Sequence, residues 1–282
     1  MVRDGLSTVE ILRYDFMVRA LVAAVLVGAT APTVGVHLVQ RRLALIGDGL
    51  GHVALAGVAI GVLTESTPVL TALVVAVIGA VAIELVRARG RTGADIALAV
   101  LFYGGIAAGV VLLSRSADGT AGNVNQYLFG AITTTTKGDL VAFAILSAAV
   151  FTVTLGLGRY LFAVSNDEEY AIATGLPVVG LNVVLAVVTA VTVVVSMRVV
   201  GLLLISALMI VPVASAQALA RSFRSTLVLA VVVGVVAAVA GVVISYYQDT
   251  PSGGTIVLVA IAVFGTAVLA GRVQGAVHAR VG

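Results

Sequence analysis

Long apolar stretches run through almost the whole chain and constrain its fold more than any other feature. A helix needs about 20 apolar residues to cross the hydrocarbon core of a bilayer. Stretches of suitable length, broken by charged residues or by Pro and Gly turns, lie at 17–39, 45–64, 68–86, 95–113, 139–158, 177–197, 199–219, 226–247 and 253–271. The sequence therefore predicts an all-α polytopic membrane protein with about nine transmembrane helices. The division around Met197 and Arg198 fits either a tight hairpin or a broken helix.

Composition narrows the function classes. Only 10% of the 282 residues are charged, whereas soluble proteins have about 25%, so a soluble catalytic domain does not fit. The chain has no cysteine, which removes thiolate metal sites and Cys nucleophiles together. Any metal ion would therefore be held by nitrogen and oxygen ligands. The formal net charge of +3 does not imply a nucleic-acid partner.

Basic residues indicate the orientation in the membrane. The alternation of the predicted spans allows one side to carry most of them, namely Arg41, Arg42, Arg87, Arg89, Arg91, Arg159, Arg221, Arg224, Arg272 and Arg280. By the positive-inside rule this side is cytoplasmic, which places the N-terminus outside and the C-terminus inside. The loop 114–137 is then external, and the connection 159–177 is cytoplasmic. Residues 1–16 are expected to form a retained amphipathic segment on the membrane surface, ahead of a single transmembrane domain at 17–282.

Two ionisable residues inside a predicted span are functional candidates, because charge in the hydrocarbon is costly. Asp48 and His52 are four residues apart, which places a carboxylate and an imidazole on one face of a helix. Such a pair can hold zinc, manganese or iron weakly, as a transient stop on a pathway requires. His37 or a second copy of the chain could add ligands, although His37 fits a satisfied helix-contact residue better. The alternative is an Asp–His hydrogen bond that joins two spans.

A polar connection near 165–177 is the second candidate region. It reads Asp167-Glu-Glu-Tyr-Ala-Ile-Ala-Thr-Gly-Leu-Pro177. An acidic start, a short helical run, a Gly stop and a Pro that opens the next span predict a short cytoplasmic helix. Such a helix is suited to dock into a groove on a partner protein. A solvated loop whose helix start is capped by acidic residues fits the same pattern.

Several blocks along the chain carry a family resemblance. They are Arg41-Arg-Leu-Ala-Leu-Ile-Gly-Asp-Gly-Leu-Gly-His52 with its continuation to Gly61, Gln126-Tyr-Leu-Phe-Gly130, Asp167 to Pro177, Val200-Gly-Leu-Leu-Leu-Ile-Ser-Ala-Leu-Met-Ile-Val-Pro212, and Pro251-Ser-Gly-Gly-Thr-Ile-Val257. In this order they resemble segments of the zinc/manganese/iron ABC transporter permeases, the membrane subunits of bacterial metal importers. Two departures stand in the first block. Gly51 replaces the usual Ser, which removes one hydroxyl that could orient His52, and Ala56 stands where Pro is frequent.

The resemblance implies roles for two groups of residues. It implies that Asp48 and His52 belong to the metal pathway. It also implies that the cytoplasmic connection couples transport to an ATPase, through Asp167, Glu168, Glu169, Tyr170 and Gly175. No Gly-x-x-x-x-Gly-Lys-Ser/Thr phosphate loop occurs in the chain, so ATP hydrolysis by that route needs separate subunits.

The expected function is therefore that of a permease subunit in an ABC importer for zinc, manganese or iron, located in the bacterial cytoplasmic membrane. The implied partners are cytoplasmic ATPase subunits, an extracytoplasmic metal-binding protein and a second permease copy, identical or related. No permanently bound cofactor is expected, since the metal ion is the cargo. The alternative is an ion- or proton-coupled secondary transporter in which Asp48 and His52 form a proton relay.

Overall fold

Helices make up the architecture of the chain. The structure, a computed structural model, describes residues 13–89, 94–115, 127–130, 135–197, 200–202 and 205–281. The helices are α1 (Asp15–Gln40), α2 (Ile46–Leu63), α3 (Pro68–Ala88), α4 (Ala94–Leu113), α5 (Lys137–Gly156), α6 (Gly158–Asn166), α7 (Glu168–Ala173), α8 (Val178–Ser196), α9 (Ile205–Leu219), α10 (Phe223–Gln248) and α11 (Ser252–Val281). The predicted all-α membrane class is confirmed. Nearly all of the predicted surface segment 1–16 and much of the loop 114–137 fall outside the described residues.

Eight helices in the described part of the chain are long and apolar enough to cross a membrane: α1, α2, α3, α4, α5, α8, α10 and α11. The predicted span 199–219 corresponds to α9, which has only 15 residues. At 1.5 Å per residue α9 is about 22 Å long, shorter than a hydrocarbon core of about 30 Å. The count of nine spans predicted from hydropathy therefore becomes eight long helices and one short apolar helix.

The chain reverses direction between α8 and α9 inside the bundle. A Cβ on Gly51 of α2 would lie 4.0 Å from a methyl group of Val193 in α8 and 3.2 Å from the carbonyl oxygen of Leu202. Gly201 has φ +89°, and a side chain there would overlap the carbonyl of Leu128. The Leu202 N–H donates to the Tyr127 carbonyl at 2.8 Å. Irregular backbone at this depth is tolerated because it is enclosed by protein.

Small residues let other helices enclose α2. A Cβ on Gly57 of α2 would lie 2.6 Å from Cα of Ala72 in α3, and a Cβ on Gly105 of α4 would lie 2.7 Å from the backbone of His52. Glycine at such positions allows membrane helices to approach closely. As a result most residues of α2 are buried, whereas only a minority of the residues of α3 and α4 are fully buried.

One end of the bundle collects arginines and the short helices. The Arg41 side chain, directly after α1, contacts Glu168 at the start of α7. Gln40 donates to Asn166 at the end of α6 at 3.4 Å, and Phe162 of α6 packs on Phe223 at the start of α10 with ring centroids 4.7 Å apart. We call this end, where α1 and α3 finish and α2, α8 and α10 begin, the basic end.

Candidate metal pathway and coupling segment

Asp48 and His52 lie one turn apart near the start of α2. Helix α2 begins at Ile46 and has no side-chain cap. Asp48 is the acidic residue in its first turn. A carboxylate there interacts favourably with the helix dipole. The spacing of four residues stacks the two side chains along one helix face, and both are half-buried. The structure thus places the predicted pair within the bundle, toward the basic end.

Aromatic packing holds the His52 ring. Its centroid is 4.4 Å from that of Phe102 in α4, with the ring planes at 71°. This edge-to-face arrangement is a favoured geometry for aromatic pairs. Gly105, one turn further along α4, brings the backbone of that helix against the His52 backbone. Helix α4 therefore sets the position of the imidazole.

Neither Asp48 nor His52 makes a side-chain hydrogen bond within the part of the chain that the structure describes. The Asp–His hydrogen bond expected from the structural alternative is therefore not formed. One carboxylate and one imidazole remain as ligands suited to a borderline or hard divalent ion. Among residues 13–89, 94–115, 127–130, 135–197, 200–202 and 205–281, no group of three His, Asp or Glu side chains could hold a metal.

His37 does not join this pair. It lies in the last turn of α1 and is 2% exposed. Its ring packs on Phe223 of α10 with centroids 5.3 Å apart. Its Nδ1 has no hydrogen-bond partner among the described residues. His37 is therefore a buried helix contact, but the described residues do not supply the satisfied ring that the sequence-based interpretation expected.

The other face of α2 meets α9 and the reversal before it. A Cβ on Gly47 would lie 3.3 Å from the Met209 sulfur and 3.4 Å from the Ser206 hydroxyl oxygen. At Gly51 the same addition would come within 3.2 Å of the Leu202 carbonyl oxygen. The glycine that replaces the family's usual serine therefore permits close contact between α2 and this buried backbone.

The connection at 167–177, the candidate coupling segment, contains the predicted short helix, α7. Asp167 caps α7, since its Oδ1 accepts from the Tyr170 N–H at 2.9 Å. Gly175 closes the helix with φ +80°, and its N–H donates to the Ile172 carbonyl. Tyr170 is 66% and Ile172 60% exposed, beside the exposed Glu169. An exposed aromatic ring next to a carboxylate is suited to contact a protein partner.

Glu168 points differently from its neighbour. Its carboxylate accepts from Arg41 at 3.2 Å and from the Asn182 amide of α8 at 3.1 Å, and Arg41 in turn donates to the Asn182 oxygen at 2.7 Å. Arg87, at the end of α3, lies 3.9 Å from Glu168 and donates to Glu84 at 2.9 Å. We call these side chains the charged cluster: Arg41, Glu84, Arg87, Glu168 and Asn182.

Two charged side chains of this cluster, Arg41 and Glu84, are almost completely buried. The side chain of Arg41 is 5% and that of Glu84 is 4% exposed, against 43% for Glu168. Burial lowers the pKa of the Arg41 guanidinium, an effect that nearby Arg87 increases and Glu168 opposes. Because arginine stays charged in proteins, Arg41 needs these carboxylates.

Sequence reasoning did not single out Arg87 or Asn182 as functional residues. Arg41 and Arg87 served only to orient the chain. Asn182 is the one amide in the predicted span 177–197, so an isolated polar side chain in an apolar run was the available signal. Glu84, near the end of α3, forms an ion pair with Arg87 at 2.9 Å.

A multi-pass helical membrane protein with an ionisable pair inside the bundle has the architecture of a transport permease. The chain belongs to the ABC 3 transport family, whose model matches residues 13–271. This confirms the predicted family of metal ABC transporter permeases, which are membrane subunits distinct from the ATPase.

Named relatives carry different metals in their names. The manganese transport system membrane protein MntC of Halalkalibacterium halodurans is 32% identical over 266 residues, which cover 94% of this chain and 91% of that protein. The high-affinity zinc uptake system membrane protein ZnuB of Haemophilus influenzae is 26% identical over 245 residues, which cover 87% of this chain and 94% of that protein. Among solved structures, PsaBC from Streptococcus pneumoniae in complex with Fab superposes with a TM-score of 0.82 at 28% identity, covering 91% of this chain and 92% of the other.

Proposed function

We propose that this chain is the permease subunit of a bacterial ABC importer that moves zinc, manganese or iron across the cytoplasmic membrane, driven by separate ATPase subunits. The observation that carries the proposal is the pair Asp48 and His52. Both side chains lie inside the bundle, half-buried, without a hydrogen bond in the described part of the chain. Ionisable groups without a hydrogen bond at this depth are retained where an ion or a water-filled path compensates them.

The proposed mechanism is alternating access. Closure of the ATPase subunits on ATP moves α7, and the helices on either side of it change their tilt. The pair on α2 is then exposed to one side of the membrane and afterwards to the other. Two protein ligands hold the ion weakly, so it can be passed on.

The donor set favours a class of metals without selecting one of them. Affinities of nitrogen and oxygen sites rise across the divalent series for almost any geometry, so selectivity depends on geometry and supply. Ligands beyond Asp48 and His52 are supplied by water, by backbone oxygens or by a second permease copy. An extracytoplasmic metal-binding protein delivers the ion at the end of the bundle opposite the basic end.

Reconstitution tests this function. The permease and its ATPase are placed in proteoliposomes with ATP inside or outside, and entry of radioactive manganese and zinc is measured. A variant ATPase without its phosphate-loop lysine is the control. We expect ATP-dependent metal uptake. Uptake that follows a proton gradient and ignores ATP would overturn the proposal in favour of a secondary transporter.

A further inference from the structure

Helix α7 is attached to the rest of the protein by few apolar contacts. It has six residues, of which Ala171 is the buried one. Tyr170 is exposed. A cavity of about 440 Å³ separates α7 from the end of α3 and the start of α8, with Glu168, Ile172 and Arg87 in its lining. Side-chain packing across this gap therefore cannot fix the position of α7 relative to α3.

Glu168 spans the gap by polar contacts. Its carboxylate reaches Arg41 after α1, Asn182 of α8 and Arg87 of α3. In the part of the chain that the structure describes, every side-chain hydrogen bond or ion pair from α7 to those helices is made by Glu168. One residue thus joins the exposed helix to three helices of the bundle.

Arg41 leads directly to the metal pathway. The turn from Arg41 to Leu45 connects α1 to α2, and Asp48 follows three residues later. Backbone hydrogen bonds tie this turn to both helices: the Leu43 N–H donates to the Leu38 carbonyl of α1 at 2.8 Å, and the Ile46 N–H of α2 donates to the Leu43 carbonyl at 3.0 Å. A displacement of Arg41 is therefore transmitted to the first turn of α2, where Asp48 lies.

The difference in burial opposes movement of α7 independently of Arg41. Removing one partner of a buried ion pair leaves the other charge uncompensated, which is strongly unfavourable. Arg41 is buried, whereas Glu168 is partly exposed. Displacing α7 without Arg41 would take Glu168 away from a guanidinium side chain that is only 5% exposed. Burial of Arg41 therefore favours joint movement of Arg41 and Glu168.

We infer that Glu168 is a positioning residue that transmits the movement of α7 through Arg41 to Asp48, and that it is not itself a docking residue for the ATPase. This inference rests on the proposed importer function. According to this inference, the two adjacent glutamates at the start of α7 have different roles. Glu169 and Tyr170 face the partner, and Glu168 faces the permease.

Substitution of the two neighbouring glutamates separates these roles. Glu168→Gln and Glu169→Gln are each purified with the ATPase and reconstituted in proteoliposomes. Three quantities are measured: the amount of ATPase retained, the rate of ATP hydrolysis and the number of metal ions taken up per ATP hydrolysed. For Glu168→Gln we expect full assembly and continued hydrolysis, with uptake per ATP lower by about 5- to 150-fold, the range of coupling between distant sites in proteins. Glu169→Gln should instead lower the amount of ATPase retained, because Glu169 faces the partner.

Two further variants, Arg41→Gln and Asn182→Ala, break the same contacts without changing Glu168. Arg41→Gln should lower uptake per ATP, and the double variant Arg41→Gln with Glu168→Gln should be no worse than the more impaired single variant, because one link is broken in each. Asn182→Ala removes a bridging amide without changing charge and should lower uptake per ATP partially. If Glu168→Gln fails to assemble, uptake per ATP in Asn182→Ala decides whether the link is needed.

The outcomes separate this inference from the proposed function. Wild-type uptake per ATP in both Glu168→Gln and Asn182→Ala would overturn the inference, and so would an equal loss of retained ATPase in Glu168→Gln and Glu169→Gln. A wild-type complex that hydrolyses ATP without moving metal would instead refute the proposed function.

Discussion

Removal of either candidate ligand tests the metal pathway most directly. Asp48→Asn keeps the size of the side chain and removes its charge, and His52→Phe removes the imidazole while keeping an aromatic ring against Phe102. Neither original side chain makes a hydrogen bond in the described residues, so neither substitution breaks one. We expect both variants to assemble normally and to lose metal uptake.

The size of the effect distinguishes a ligand from a structural contact. An intramembrane hydrogen bond contributes about 0.6 kcal/mol on average, a factor of about three in an equilibrium constant. Loss of a group that merely supports a metal ligand lowers affinity about 10- to 100-fold. Loss of a ligand from a pair should cost at least as much, so uptake at low metal concentration should fall at least about tenfold.

The assay is the initial rate of radioactive manganese and zinc uptake in proteoliposomes, measured over a range of metal concentrations. Glu65→Gln is the matched control, because Glu65 is exposed beyond the other end of α2. Thermal unfolding of each purified variant checks its stability. Wild-type uptake by Asp48→Asn and His52→Phe would refute the ligand assignment. Loss of uptake in His52→Ala alone would show that the ring contact with Phe102 is what matters.

Three other predictions follow from the orientation, from the packing of α2 and from the exposed face of α7. In this cysteine-free chain, a cysteine introduced at Glu65 should react with an impermeant maleimide only from outside and one at Glu169 only from the cytoplasm; the reverse pattern would invert the predicted topology. Gly105→Ala should lower the melting temperature, because its Cβ would lie 2.7 Å from the His52 backbone and overpacking costs about 1–3 kcal/mol. Gly104→Ala meets nothing within 4 Å and is its control; equal melting temperatures would contradict the close α2–α4 packing. Tyr170→Glu should weaken co-purification of the ATPase, since an aromatic anchor at an interface is worth about 2 kcal/mol or more; an undiminished yield would show that this face of α7 does not dock.

Local patterns in the sequence were enough for the fold class and for the local helical structure around the candidate residues. Apolar runs follow directly from the length that a bilayer requires, and they predicted the eight long helices. The acidic start, the glycine and the proline around 167–177 predicted α7, because capping and helix termination depend on neighbouring residues. The spacing of Asp48 and His52 predicted their common face, because it is set by the helix itself.

Hydropathy could not resolve the region around Met197, since it records how apolar a stretch is and not whether the backbone stays helical. The reversal between α8 and α9 depends on contacts of Gly201 and Leu202 with residues 127–130, which are distant in sequence. For the same reason the predicted ninth span is a helix of only 15 residues.

The sequence by itself determined that this protein crosses a membrane many times, and the motifs along it indicated the family. Both properties are carried by neighbouring residues. Only the tertiary structure decided which of the two adjacent glutamates faces the bundle. Glu168 meets Arg41 across 127 positions of sequence, and that meeting depends on how α1, α3 and α8 pack, because partners for a buried arginine are supplied by the elements that surround it.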